Sequence, residues 1–87
     1  MYATIQSKKF NEFACRIYKE PVTINEQYKV YKLVDSFTPN DIILKEEIGE
    51  NKIFRYLAID NQNILYLYDN NQKKCEVKMG LCGYYED

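Results

Sequence analysis

Any chemistry in this chain would have to come from cysteines and carboxylates, because the sequence contains no histidine. Without an imidazole there is no Ser-His or Cys-His couple, no histidine general base and no histidine-containing metal site. The thiols are Cys15, Cys75 and Cys82, and the last two do not have the short ligand spacing of structural zinc sites. An odd number of cysteines predicts reduced thiols, and we expect no metal and no cofactor.

The carboxylates offer no better arrangement for catalysis. Glu46 and Glu47 are adjacent, so on a strand they point to opposite faces and make a poor pair of acid and base. The glycines at positions 49, 80 and 83 do not form a phosphate-binding loop. We therefore predict that the protein is not an enzyme.

The stretch QYKVYKLV interleaves tyrosines with lysines, as a surface that stacks on bases and meets phosphates would. Its alternation places Tyr28 with Lys32 and Tyr31 with Lys29, so neither face is a clean aromatic or cationic platform. The net charge of −1, from 12 basic and 13 acidic residues, also lacks the basic excess of a general nucleic-acid binder. A nucleic-acid-binding module is therefore the alternative function. Its residues are Tyr28, Lys29, Tyr31, Lys32, Lys73 and Lys74.

Tyrosines also alternate with leucines in the stretch NILYLYDNN, which ends in a turn signal. As a strand it would place Ile64, Tyr66 and Tyr68 on one face, and Leu65 and Leu67 on the other. Leucine has no polar atom and belongs in the drier layer. We therefore expect the leucine face to be buried and the tyrosine face to be partly exposed.

The preceding stretch KIFRYLAI is apolar on both faces as well. Phe54, Tyr56 and Ala58 alternate with Arg55 and Leu57, so both faces of the predicted hairpin are largely apolar. One helix covers only one face of a sheet, and the second face is then either the inside of a closed barrel or an exposed aromatic surface. Tyrosine and arginine are enriched in protein-binding surfaces, which fits the exposed surface.

The clearest periodic pattern lies in SKKFNEFACRIYKEP. Its apolar residues recur at helical spacing, at Phe10, Phe13, Ala14, Ile17 and Tyr18. With Ser7 able to cap the start and Pro21 marking the stop, the pattern predicts a helix over residues 8–19. We expect this helix to be structural, with Phe13 and Ile17 as its most buried positions.

Downstream of residue 21 the pattern is that of short antiparallel strands. The segments QYKVYKLVD, KIFRYLAI, NILYLYD and CEVKM are joined by short loops, residues 41–48 read as strand rather than helix, and the tail GLCGYYED has no periodicity. The predicted fold class is α+β, with an N-terminal amphipathic helix packed on an antiparallel meander sheet of about five strands. It forms a single domain over residues 1–87, and the alternative fold is a small SH3-like β-barrel.

These patterns predict a small non-enzymatic protein that binds another protein. Small size, balanced charge and a lack of catalytic chemistry are typical of phage or mobile-element proteins that inhibit host machinery, of the anti-defence or anti-CRISPR type, by blocking a partner's surface. A homodimer through the same face would satisfy the same observations. The predicted contact residues are Tyr66, Tyr68, Tyr56 and Arg55, with an acidic tail of Tyr84, Tyr85, Glu86 and Asp87 as a second candidate.

The sequence also bears on location. No segment approaches the length of a membrane span, and no basic-then-apolar leader opens the chain. Together with reduced thiols, this predicts a cytoplasmic protein with no membrane partner. The abundance of Asn, Lys, Ile and Tyr is what AT-rich coding sequence gives, and it points to a low-GC bacterium or the host cell of its phage.

Overall fold

One antiparallel sheet, curled until it closes, contains the described strands of this chain. The computed structural model describes residues 1–10, 13–38, 46, 53–69 and 77–86. The strands are β1 (Tyr2–Ser7), β2 (Ala14–Tyr18), β3 (Thr23–Ile24), β4 (Tyr28–Phe37), β5 (Phe54–Asp60), β6 (Ile64–Asp69) and β7 (Val77–Glu86). These described elements include no helix, so this part of the chain is all-β.

Pairing between consecutive strands builds a meander, and two further pairings close it. β1 pairs with β2, and β4, β5 and β6 each pair with the next strand along the chain. β2 also pairs with β4, where Ile17 lies opposite Leu33, and β7 returns to β1, where Tyr84 lies opposite Ile5. The short β3 adds to the edge of β4. The result is a closed six-stranded antiparallel barrel, and closure removes the free edges of an open sheet.

The predicted α+β fold is wrong, and the alternative of a small SH3-like barrel fits better. The face that we expected a helix to cover is the inside of the barrel, where the side chains of facing strands cover one another. Leu65 and Leu67 are fully buried there, as predicted, but strands from the other walls enclose them. The residues 41–48, predicted as strand, lie outside the described part of the chain apart from Glu46.

The segment predicted as helix 8–19 instead contains strand β2 and part of the turn before it. Phe13 and Ile17 are fully buried, as expected, and Cys15 between them is partly buried. An interval of four residues fits the period of a strand as well as that of a helix, so these two positions could not distinguish the two structures. Tyr18, expected on the buried face, is exposed on β2.

Ser7 closes the turn after β1 rather than capping a helix. Its Oγ accepts hydrogen bonds from the backbone N–H groups of Lys9 (3.1 Å) and Phe10 (3.0 Å). Its own hydroxyl donates to the carbonyl oxygen of Met79 on β7. The local chemistry is that of a serine cap, used here to fix a turn and tie it to a neighbouring strand.

The barrel interior is filled by aliphatic and phenyl side chains from all six barrel strands. Its buried cluster consists of Ala3, Ile5, Phe13, Ile17, Leu33, Phe54, Leu57, Leu65, Leu67, Val77 and Met79. The ring of Phe13 lies edge-on to that of Phe37, with centroids 4.8 Å apart and an interplanar angle of 77°, which is a favourable aromatic geometry. None of the buried residues of this cluster is a tyrosine. The tyrosine rings therefore lie outside the fully buried core, with Tyr31 packed against it.

A β-bulge at Arg55 changes which residues of β5 face the barrel interior. Between the pairs Phe54↔Asp69 and Tyr56↔Tyr68, β5 advances two residues while β6 advances one. Phe54 is consequently buried in the interior, and Arg55 is exposed. The predicted alternation, in which Phe54 shared a face with Tyr56, is wrong because a bulge shifts the phase of every residue before it.

Gly80 lies at a second irregularity, in β7, where the pairing with β6 changes register. Its φ of 80° is a conformation that L-residues rarely adopt, and an added Cβ would lie 2.8 Å from the Cβ of Lys9. We expect Gly80→Ala to lower the free energy of unfolding by about 1–3 kcal/mol, measured by urea denaturation. Gly83→Ala is the control, since Gly83 does not have a positive φ and the atoms nearest to its added Cβ would be those of the Tyr85 side chain and the Gln6 carbonyl. Equal losses in the two variants would show that the positive φ is not the cause.

Candidate protein-binding surface

Four tyrosines from three neighbouring strands share the outer face of the barrel. Tyr56 on β5 lies opposite Tyr68 on β6, and residues opposite each other in an antiparallel pair project from the same face. Tyr66 is two residues from Tyr68 and therefore on the same side. Tyr28 on β4 joins them through its position opposite Asp60. All four are partly buried, and together they are called the tyrosine face below.

The centre of the tyrosine face is occupied by smaller residues. Ala58 lies opposite Val30 on one side and opposite Tyr66 on the other. Val30 and Ala58 are buried although they do not belong to the interior cluster, so the outer surface is closely packed here. Beside them lies a cleft of about 310 Å³, lined by Gln27, Tyr28, Asp60, Tyr66 and Tyr68.

Asp60 provides a fixed negative charge at one end of this face. Its Oδ1 accepts hydrogen bonds from the backbone N–H groups of Gln62 (2.8 Å) and Ile64 (2.9 Å), and its Oδ2 accepts one from the hydroxyl of Tyr66 (3.2 Å). The bond from Ile64 is the main cause that lowers the pKa of Asp60, and the other two add to it. The carboxylate is therefore ionised at neutral pH and held in one orientation by the β5–β6 turn.

Positive charges flank the same surface. Lys32 on β4 lies opposite Tyr56, and Lys78 on β7 lies opposite Tyr66. Arg55 is exposed beside Tyr56 at the bulge. The structure thus groups the four residues first predicted as protein contacts, Tyr66, Tyr68, Tyr56 and Arg55, on two adjacent strands.

The residues of the alternative nucleic-acid site are divided between two places. Tyr28 and Lys32 lie on the outer face, whereas Lys29 and Tyr31 line a second cleft beside the β5–β6 turn. Lys73 and Lys74 lie outside the described residues. The strand alternation that argued against a single platform in the sequence is therefore present in the structure.

The second cleft has a volume of about 380 Å³ and contains no activated nucleophile among its described residues. It is lined by Lys29, Tyr31, Ile59, Asp60, Asn61, Asn63, Cys82 and Tyr84. Burial, with a smaller effect of Cys82, raises the pKa of the Cys15 thiol to about 12. Burial also raises the pKa values of Cys82 and Tyr31. At neutral pH these groups stay protonated, and a protonated thiol is a weak nucleophile.

The predicted acidic tail is not a tail. Tyr84, Tyr85 and Glu86 belong to β7 and pair with β1, and Asp87 lies outside the described residues. Tyr84 and Tyr85 are exposed by 44% and 56%, and as consecutive strand residues they project from opposite faces of β7. Glu86 forms an ion pair with Lys19, with 3.1 Å between the carboxylate oxygen and the ammonium nitrogen.

A second group of aromatic residues was missed in the sequence. Tyr2 and Tyr18 lie opposite each other on β1 and β2 with ring centroids 5.5 Å apart, and the guanidinium carbon of Arg16 is 4.6 Å from the centroid of Tyr2. Tyr85 lies on the same outer side of the neighbouring β7, opposite Thr4. The helix interpretation hid this group, whereas reading ACRIY with a period of two would have placed Arg16 and Tyr18 together.

Comparison with known proteins adds no assignment to this surface. Searches of protein-family models, of curated proteins and of solved structures found no match to the chain. Within the described ranges, no three His, Cys, Asp or Glu side chains are grouped to hold a metal ion. A helix of the length and apolarity needed to cross a membrane is likewise absent from the residues that were described.

Proposed function

We propose that this protein is a non-enzymatic binding module that holds another protein on its tyrosine face. The observation that supports this most is the position of the four tyrosines outside a core that aliphatic and phenyl side chains already fill. A partly exposed tyrosine offers a large rigid ring and a hydroxyl that tolerates water, and tyrosine is enriched among the residues that dominate binding energy. Arg55, beside Tyr56, adds the other residue type enriched at such surfaces.

The partner surface would be blocked rather than chemically changed. The chain has no histidine, and burial keeps the thiols of Cys15 and Cys82 protonated at neutral pH. An 87-residue barrel with such a surface suits an inhibitor made by a phage or mobile element, acting in the cytoplasm on host machinery. A second copy of the chain on the same face, giving a homodimer, is the competing occupant.

Single-stranded nucleic acid is the second candidate ligand. The observation in its favour is that Lys32 and Lys78 flank the tyrosine face, since stacking rings between cations is how such strands are held. Against it stands the net charge of −1, because affinity for nucleic acid depends on phosphate neutralisation.

Affinity capture from the source cell or its host, with and without nuclease, separates these functions. We expect a defined protein to be retained by the tagged full-length chain after nuclease treatment, and retention to change little between low and near-physiological salt. Retention that disappears with nuclease, or that falls steeply as salt rises, would favour the nucleic-acid module instead. If the chain recovered only itself and ran as a dimer on a sizing column, the partner would be a second copy.

A further inference from the structure

The cleft on the tyrosine face combines aromatic walls with one carboxylate. We infer that the cleft between Tyr28, Tyr66, Tyr68 and Asp60 takes the side-chain ammonium group of a lysine from the bound protein. This inference rests on the proposed function and names the chemistry of the partner. The inference is based on the negative charge of the Asp60 carboxylate and on the hydrogen bonds that orient this carboxylate.

The lining residues are complementary to a cation. An ammonium group is attracted to the faces of tyrosine rings, and the attraction strengthens where the site is partly shielded from water. The carboxylate of Asp60 adds a full negative charge at the same end of the cleft. A phosphate or a partner carboxylate would be repelled from this position.

The free hydrogen-bonding capacity of Asp60 favours lysine over arginine. Each carboxylate oxygen accepts about two hydrogen bonds, and Oδ1 already receives those of Gln62 and Ile64. Oδ2 receives one bond, from the Tyr66 hydroxyl, and has room for one more. A guanidinium binds carboxylates best through two parallel bonds to both oxygens, whereas an ammonium is a point charge that needs one.

Both rims of the cleft are fixed before any ligand arrives. Asn61 of the β5–β6 turn donates from its side-chain nitrogen to the carbonyl oxygen of Glu26 (2.7 Å) and from its backbone N–H to that of Gln27 (3.1 Å). Asn25 in turn accepts bonds from the backbone N–H groups of Gln27 (2.8 Å) and Tyr28 (2.9 Å). These bonds lock the β5–β6 turn, which follows Asp60, against the loop that precedes Tyr28, so little ordering is needed on binding.

Lys78, one of the described lysines, lies across β6 from Asp60. Lys78 is opposite Tyr66 on β7, whereas Asp60 is on β5, on the other side of β6. Lys78 does not line the cleft, and its positive field is the smallest of the effects that lower the pKa of Asp60. Among the described residues that line the cleft, none carries a positive charge.

Three matched peptide probes test this on the full-length, isotopically labelled protein. They are acetyl-Gly-Gly-Lys-Gly-Gly-amide and the same peptide with norleucine or with arginine at the central position. We expect the lysine peptide, at millimolar concentration, to shift the amide resonances of Gln62, Ile64 and Tyr66, and the norleucine peptide to leave them in place. Equal shifts with norleucine, tighter binding of the arginine peptide, or no shift with any probe would each overturn the inference.

Asp60→Asn is the matched variant of the protein. Its Oδ1 still accepts from Gln62 and Ile64, so the turn is kept while the charge is removed, and an unchanged spectrum outside the cleft checks this. We expect the variant to bind the lysine peptide about tenfold more weakly.

The same variant separates this inference from the proposed function once a partner has been captured. If a tyrosine-face variant lost binding while Asp60→Asn kept its affinity, the proposed function would be supported and the inference of a bound lysine would be contradicted. Unchanged affinity in both variants would contradict both the proposed function and the lysine inference. Weaker partner binding by the tyrosine-face variant and by Asp60→Asn would support both the proposed function and the lysine inference. The weakening should persist with purer protein and with longer incubation.

Discussion

Replacing Phe13 by alanine should lower the free energy of unfolding by about 3–5 kcal/mol, which is a large share of the stability of a domain this small. Phe13 is fully buried and its ring lies edge-on to Phe37, so the substitution removes a ring from the barrel interior and leaves a cavity. A six-stranded barrel has little freedom to collapse around the gap, since each wall is hydrogen-bonded on both sides. Urea denaturation of the wild type and the variant, with equal slopes, would measure the loss.

Phe10→Ala is the matched control for this prediction. Phe10 is only partly buried at the rim of the same cluster, so we expect a clearly smaller loss of stability. An unchanged melting temperature in Phe13→Ala, together with loss of partner binding, would contradict the assignment of Phe13 to the core. It would instead place the segment before β2 at the interface.

Replacing both Tyr66 and Tyr68 by serine should leave the barrel folded and weaken association by about 2 kcal/mol or more, which is roughly a 30-fold loss of affinity. Leu65 and Leu67, which fill the interior from the same strand, are untouched, so little core volume is lost. The two rings are partly exposed on the outer face and border the cleft with Asp60. Thermal unfolding, sizing at several protein concentrations and a quantitative pull-down measure fold, self-association and partner binding in turn.

Tyr2→Ser with Tyr18→Ser is the control pair on the other side of the barrel. These two tyrosines are exposed and also lie opposite each other on neighbouring strands. Unfolding of the Tyr66 and Tyr68 variant would show that the tyrosine face is needed for the fold itself. Normal binding by that variant, combined with loss of binding by the control pair, would move the interface to the surface of Tyr2, Tyr18 and Tyr85.

The features of the fold that were predicted correctly from the sequence are those that depend on the residue pattern within a single segment. In β6 the alternation of tyrosine and leucine correctly separated the buried Leu65 and Leu67 from the partly exposed Tyr66 and Tyr68. Such a pattern depends only on the period of the strand and on the polarity of its residues. The burial of Phe13 and Ile17 was predicted correctly from a helical period, because an interval of four residues keeps two positions on one face in a strand as well.

What the sequence did not predict depends on relations between distant segments. The helix over 8–19 was wrong because apolar spacing there suits two periods, and only pairing with β1 and β4 decides for a strand. The bulge at Arg55 is a mismatch of two strands and leaves no mark in either one alone. Pairing of β4 and β6 with the two edges of β5 places Tyr28 of the alternative nucleic-acid site in the same cleft as Tyr66, and no local pattern records that neighbourhood.

Because β1 and β7 are adjacent walls of the barrel, β1 cannot complete its pairing until β7, which follows all the other described strands along the chain, has been synthesised. Ala3 pairs with Glu86 and Ser7 with Cys82, so β1 keeps an open edge until β7 has left the ribosome. The same adjacency brings the two ends of the described chain side by side. A short linker between them, with a new opening in the β5–β6 turn, would give a circular permutant in which β7 and β1 form a hairpin. In that chain β5 and β6 become the two strands that are far apart in sequence and pair last. The long-range pairing that completes the barrel would then form at the tyrosine face itself.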